Sequence, residues 1–315
     1  MTKYNVLSLF SGCSMDRVAL DRAGINVRWH MASEIDKYAI QVAKRNYPDI
    51  HHIGDVTKCE RLWTEHKYPK VDIMIGGSPC QGFSFAGKQL NFDDPRSKLF
   101  FEFVKLKNLL KPKYFLLENV RMKKEHQDII SEHLGVEPIE INSSLLSAQN
   151  RVRLYWTNIP VEMPEDKGIL LKDIIECGSV DRNKSYCLDA NYFKGGNMKQ
   201  YFGKKRRQLV FGSGCNQVGE ADIKGYDIIK RVYGIDGKAP TLTTMQGGHR
   251  EPKIACPDKL HWRKLIPLEC ERLQTLPDGY TDKDVSNTQR YKMLGNGFTV
   301  DVIAHILKGI KDAKI

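Results

Sequence analysis

No stretch of this 315-residue chain approaches the ~18 consecutive apolar residues that a membrane-spanning helix needs. Met1–Phe10 runs straight into a strand-like segment and lacks the longer apolar core and cleavage site of a signal peptide, so the chain reads as cytoplasmic and soluble. Its eight cysteines, at positions 13, 59, 80, 177, 187, 215, 256 and 270, include no Cys-x-x-Cys pair. No metal site of zinc type is therefore expected, and most of these thiols read as reduced, buried, small hydrophobes. The dinucleotide fingerprint G-x-G-x-x-G is also missing, as are internal repeats and long low-complexity segments. At this length one large domain and a smaller one are expected.

Basic charge is in excess. The formal net charge is +11, and residues 181–262 hold 15 Lys and Arg against 8 Asp and Glu, which places +7 of it in one stretch. A balance of this sign favours a polyanionic partner.

The first half alternates strand-like and helix-like segments. Asn5–Phe10, Val27–Ser33, Val71–Ile75 and Tyr114–Leu117 read as buried strands, with Asp16–Ala23, Lys37–Asn46 and Ser97–Leu110 as helices between them. This pacing predicts an α/β fold, doubly wound around a mainly parallel sheet. After about Ile175, glycine, basic and aromatic clusters replace the alternation, as in Lys204–Arg207 and Gln246-Gly247-Gly248, predicting a smaller, loop-rich, partly β region. A helical tail, Thr299–Lys311, is expected to return to the large domain. The resulting division is 1–180, 181–280 and 281–315.

Ligands of such sheets bind beyond the carboxyl ends of the strands. Gly12 follows the first strand, Glu34 ends the second, and Asp55 follows Gly54 at the expected end of a third. A backbone glycine for close approach, a carboxylate for ribose hydroxyls and one for an adenine amino group suit an adenosine-bearing ligand. The trio alone does not separate S-adenosylmethionine from a dinucleotide; the missing fingerprint counts against the latter.

Cys80 lies on a loop past Val71–Ile75, in Ser78-Pro79-Cys80-Gln81-Gly82-Phe83-Ser84, and Glu118 ends the next strand. Placement alone fits a reactive thiol beside a proton donor as well as it fits a packed cysteine and a capping glutamate. A phosphatase-type cysteine is disfavoured because Ala86 stands where its arginine would be expected.

Pro79-Cys80-Gln81 with Phe83-Ser84, Glu118-Asn119-Val120, Gln149-x-Arg151-x-Arg153 and Gly295-Asn296-Gly297 occur in the order found in the DNA (cytosine-5)-methyltransferases. The chain resembles that family over nearly its whole length, from Leu9-Phe10-x-Gly12 to the tail. Leu99–Phe103 and Tyr280-Thr281 with Asp284–Asn287 also resemble the catalytic domains of animal de novo methyltransferases, while the compact length looks bacterial or phage-like. The resemblance implies a Rossmann-like, S-adenosylmethionine-dependent fold carrying a smaller DNA-recognition domain. It implies attack by the Cys80 thiolate on carbon 6 of cytosine, which makes carbon 5 enamine-like. Protonated Glu118 would donate to ring nitrogen 3, and Arg151 and Arg153 would hold the base, a neighbouring phosphate and the catalytic loop. Phe10, Gly12, Glu34, Ile35, Asp55, Val56, Pro79 and Asn296 are the implied cofactor contacts. Because the reacting carbon is stacked within the duplex, the target base must be flipped out, and residues 81–95 are the expected lid.

The chain departs from the family pattern in places. Ser14 and Met15 stand where glycines are common, and Gly297-Phe298 replaces a more usual Ser-Val. In the resembling enzymes the recognition domain follows the Gln-x-Arg-x-Arg motif, where the basic excess lies here. Thr241 matches a threonine that contacts phosphate near the flipped base. Gln246 and Gly247 are expected at the major groove, Arg231 as a base reader, and Gln81 and Ser84 on DNA. Duplex DNA is thus the expected partner, with no obligatory protein partner and a monomeric state. The rivals are a transfer-RNA methyltransferase with the same motifs and a catalytically idle DNA-binding homologue.

Overall fold

The computed structural model describes residues 2–78, 98–194, 198–211, 217–220, 231–233, 253–254, 262–283 and 285–312. Cys80, Pro79, Gln81, Ser84, the rest of the expected lid, Thr241, Gln246 and Gly247 lie outside these residues.

Strands β1 (Lys3–Leu9), β2 (Asn26–Ser33), β3 (His51–His52), β4 (Ile73–Gly76), β5 (Tyr114–Val120), β6 (Ile139–Asn142) and β7 (Val152–Thr157) form one sheet in the order β3-β2-β1-β4-β5-β7-β6. Its pairings are parallel from β3 across to β5, and β7 alone runs the other way, antiparallel to both β5 and β6. The expected doubly wound, mainly parallel architecture is present. The chain builds outward from β1 through β2 and β3, then crosses to β4 on the other side. That reversal of winding opens a crevice at the carboxyl ends of β1 and β4.

Both faces of the sheet are buried, as a parallel sheet requires. Val6 of β1 joins one apolar cluster while Leu7 and Leu9 join the other, the period-two signature of a strand between two layers. Helices α1 (Met15–Ala23) and α2 (Lys37–Asn46) lie on the first side. α3 (Glu60–Thr64), α4 (Lys98–Leu110) and α5 (Lys124–Leu134) follow in sequence, and Phe100, Phe103 and Leu106 of α4 form much of the second cluster. Local chemistry sets the helix ends near the crevice. The Asp36 side chain caps α2 by accepting from the N–H of Tyr38 at 3.0 Å, and Gly24 closes α1 at φ 66°.

Beyond the sheet, α6 (Met198–Lys204) precedes β8 (Leu209–Phe211), which pairs antiparallel with β12 (Trp262–Lys264). A second small sheet joins β9 (Gln217–Glu220), β10 (Arg231–Tyr233) and β11 (Lys253–Ile254). Helices α7 (Pro267–Leu273), α8 (Asn287–Asn296) and α9 (Val300–Asp312) end the chain. Leu265, Cys270, Leu273, Leu276 and Tyr280 share the core that holds α1 and α9, and so do Leu188, Tyr192 and Val210. Among the described residues no helix is long and apolar enough to cross a membrane.

One boundary differs from the sequence reading for a reason that matters to the site. β5 continues to Val120 because β7 pairs with it at Glu118↔Tyr155, Asn119↔Leu154 and Val120↔Arg153. Glu118 therefore lies within a strand rather than at its end.

Candidate active site

The loop after β1 is wound by three residues of positive φ: Phe10 (57°), Gly12 (55°) and Ser14 (60°). A glycine takes this conformation freely, whereas each non-glycine there costs about 1–3 kcal/mol. Ser14 keeps the left-handed turn despite its side chain and accepts from the N–H of Arg17 at 3.1 Å. The Tyr280 hydroxyl, arriving from the far end of the chain, donates into the same loop, 2.8 Å from the Cys13 carbonyl. Below it Ser8, Asp16 and His30 form a buried polar cluster. The Ser8 hydroxyl donates to Asp16, and His30 Nε2 lies 3.1 Å from the Asp16 carboxylate.

Glu34 organises the facing lip. Its Oε2 accepts from the N–H of Gly12 at 2.8 Å, and its Oε1 accepts from those of Ile35 and Asp36 at 2.7 and 2.8 Å. Oε1 is filled; Oε2 keeps one lone pair for a further donor. Ile35 beside it is 76% exposed, an apolar surface left open at the rim. From the opposite wall, Lys292 of α8 reaches Asp36 at 2.7 Å.

The inner end is assembled by the reversed strand. Because β7 runs against its neighbours, its start lies at the edge where the other strands finish. Glu118 and Arg153 are diagonal neighbours on one face, and Arg153 Nε meets Glu118 Oε1 at 3.0 Å. Arg151 is almost wholly buried. Its Nη2 donates to the carbonyls of Gly295 (3.2 Å) and Gly297 (2.9 Å), and its Nη1 to that of Leu188 (3.1 Å). Burial pushes the Arg151 guanidinium below its ordinary value, and the Arg153 charge adds to this. For Arg153 burial also acts to lower the guanidinium, but Glu118, Cys187 and Tyr155 together outweigh it and hold it above its ordinary value. The Cys187 sulfur lies 3.4 Å from Arg151 Nη1 and 3.9 Å from Arg153 Nη2.

These groups border one cavity of about 690 Å³, within the ~300–1,000 Å³ typical of small-molecule sites. Of the residues predicted from sequence, Phe10, Gly12, Glu34, Ile35, Glu118, Arg151, Arg153 and Asn296 line it together. Asp55 and Val56 are not among its lining residues. Asp55 Oδ1 instead accepts from the N–H and hydroxyl of Thr57, bonds that hold its carboxyl below the usual range, and the Val56 side chain is packed in the core. Arg231 opens β10, in register with Glu220. In the basic run Lys204–Arg207, the side chains of Arg206 and Arg207 converge on Asp189 at 2.7 and 3.4 Å.

Sequence reasoning missed Met15, Ser78 and Phe298, which also line the cavity, and Cys187 behind the arginine pair. Their motif neighbours Gly12, Cys80 and Asn296 pointed to the region; nothing in the sequence pointed to Cys187.

The donor set fits an adenosine-bearing ligand with charged ends. Within the wall, Ser11 Oγ and Arg151 Nε are buried without a hydrogen-bond partner among the described residues. A Cβ built on Gly12 meets nothing within 4 Å, so backbone there is bare to the cavity.

Comparison with known proteins gives this geometry its setting. An orphan methyltransferase of Bacillus phage SPbeta, M.SPBetaI, is 29% identical, with 98% of this chain and 97% of that protein covered. The type II methyltransferase M1.ScrFI of Lactococcus lactis subsp. cremoris is 31% identical over 96% of this chain and 76% of its own. The solved structure of the Entamoeba histolytica methyltransferase EhMeth superposes with a TM-score of 0.66 at 15% identity, covering 99% of each chain, and shares the fold. Residues 4–312 match the C-5 cytosine-specific DNA methylases, and the chain belongs to that family of S-adenosylmethionine-dependent DNA (cytosine-5)-methyltransferases.

Proposed function

We propose that the chain methylates carbon 5 of a flipped-out cytosine in duplex DNA through a covalent adduct between Cys80 and carbon 6. The observation that carries this reading is the single cavity with two chemically distinct ends. Gly12, Glu34 and Ile35 form one end, and the Glu118–Arg153 pair forms the other. Ser78, two residues before Cys80 in sequence, is part of the same wall.

When bound, S-adenosylmethionine supplies an electrophilic methyl group. The protein's task is to make a poor carbon nucleophile reactive beside it. In the proposed step the Cys80 thiolate forms a bond to carbon 6, and the displaced π electrons are drawn toward ring nitrogen 3 as Glu118 gives it a proton. Carbon 5 then takes the methyl group, leaving S-adenosylhomocysteine; loss of the carbon 5 proton to water expels the Cys80 thiolate, and nitrogen 3 returns its proton to Glu118. Arg153 fixes the Glu118 carboxyl from the side. Arg151, spent on backbone carbonyls, holds the wall that carries Asn296. At the other end, Glu34 Oε2 is the acceptor for one ribose hydroxyl, Ile35 offers its open face to the adenine, and Phe10 and Asn296 close the flanks. Asp55, through Oδ2, and the Val56 backbone would serve from outside the cavity, with Pro79 completing the cofactor contacts. Contacts with DNA are assigned to Gln81 and Ser84 of the lid segment and to Arg231, Thr241, Gln246 and Gly247 of the basic stretch.

Tritiated-methyl transfer to duplex oligonucleotides, compared with transfer RNA, tests the reading. Label in DNA, lost in Cys80→Ala, and wild-type trapping on 5-fluorocytosine duplexes are expected. Label in RNA alone, or full turnover by the alanine variant, would overturn it.

A further inference from the structure

Gly297 lies just past α8 at φ −78°, a backbone conformation open to any L residue. Its lack of a side chain therefore answers to space rather than torsion. A Cβ built there would fall 2.4 Å from Met15 Sδ and 2.5 Å from Met15 Cε, with the Met293 carbonyl at 3.1 Å. Gly297 cannot retreat easily. Its N–H donates to the Met293 carbonyl at 2.9 Å, and its own carbonyl accepts from Arg151 Nη2 at 2.9 Å and from Gln274 Nε2 at 3.4 Å.

Met15 is the softer partner, an unbranched thioether with several rotatable bonds. It is nearly fully buried, yet it borders the cavity, as Gly297 does. Behind it stands the close-packed core of α1 and α9, which has little room to accept a displaced side chain. The cavity is the open space beside it. We propose that Met15 is a movable wall of the cofactor cavity, held back by the missing side chain of Gly297. Residue 297 thereby sets how much room the cofactor has without touching it. The two positions act as one unit, a methionine on the loop after β1 filling the volume that a side chain after α8 would otherwise take.

This inference rests on the cavity being the S-adenosylmethionine site. Titration calorimetry with S-adenosylmethionine, alongside thermal unfolding, on the wild type, Gly297→Ala, Met15→Ala and the double variant tests it. Gly297→Ala should weaken binding about tenfold or more with little change in melting temperature, since the thioether swings into the cavity rather than out of the core. Met15→Ala should weaken it less by removing wall, and adding Gly297→Ala to that background should cost nothing further, a non-additivity reserved for touching residues. Wild-type affinity in Gly297→Ala would overturn the proposal, as would a defect equally large in both backgrounds. If Gly297→Ala fails to fold, recovery of folding in the double variant supports the pairing, and continued failure there refutes it. A wild-type chain that binds no S-adenosylmethionine would remove the site assignment beneath it, a result distinct from binding that ignores residue 297.

Discussion

Replacing Arg151 with lysine should destabilise the protein and loosen its cofactor end, although charge and approximate length are kept. The guanidinium spans two places at once, with one nitrogen on the Leu188 carbonyl and the other on those of Gly295 and Gly297. An ammonium is a single point and can serve one side only. Hydrogen bonds from a charged donor contribute about 1.5–3 kcal/mol each, so abandoning one or two of these carbonyls should cost about 1.5–6 kcal/mol. For a chain of this size that is a fall in melting temperature of roughly 2–9 °C. Differential scanning calorimetry supplies the first readout, and S-adenosylmethionine affinity the second, because Asn296 sits between the two anchored glycines. If Arg151 instead serves by holding phosphate, Arg151→Lys would keep both its melting temperature and its cofactor affinity while losing affinity for DNA. That pattern would refute the wall-holding role.

Glu118→Gln preserves the side chain's shape but has no transferable proton, so kcat should fall about 10²–10⁴-fold while cofactor binding is kept; near-normal kcat would remove Glu118 from the chemistry. Cys187→Ala takes away the sulfur between the two guanidinium groups, and loss of about 1 kcal/mol of positioning should lower kcat severalfold at an unchanged cofactor KM. Cys187→Ser should restore most of that rate, and equal loss in both variants would deny the sulfur a positioning role. Burial alone would raise the Asp16 carboxyl, but hydrogen bonds from His30 and Ser8 and the His30 charge outweigh it and leave it below its usual value. A depressed folded value gives stability that is present above the unfolded value of about 3.9 and lost as pH falls through the folded one. Acid unfolding should therefore be shallower in Asp16→Asn than in the wild type when followed by circular dichroism; an equal or steeper acid response would contradict the sign.

Much of the site was readable because strand ends announce themselves. Apolar runs closing on Gly12, Glu34 and Gly76 carry their own punctuation, and motif order drew Glu118, Arg151 and Arg153 into one place. What stayed hidden depends on contacts across long separations. The direction of β7 is not written in its own residues; it follows from pairing with β5, and it moves Glu118 from a strand end into a ladder. Asp55 follows the short strand β3, but its nearest donors belong to Thr57, a local turn that sequence order cannot distinguish from a ligand contact. The cluster of Ser8, Asp16 and His30 mixes strand and helix positions whose patterns look ordinary separately. Met15 and Gly297 look like two independent lapses from a motif until their atoms are placed side by side.

The Tyr280 hydroxyl that anchors the Cys13 carbonyl comes from 267 residues along the chain. Synthesis at about 5–20 residues per second would leave the first loop waiting roughly 13–50 s for that partner. During this interval the early strands can pair, but the pocket lacks its far wall. Ligand cannot therefore template the first half of the protein as it emerges, and the capacity to bind should appear late, as a property of the finished chain. A ribosome-bound series of increasing length would register that onset as a step near the emergence of α8, rather than a gradual rise.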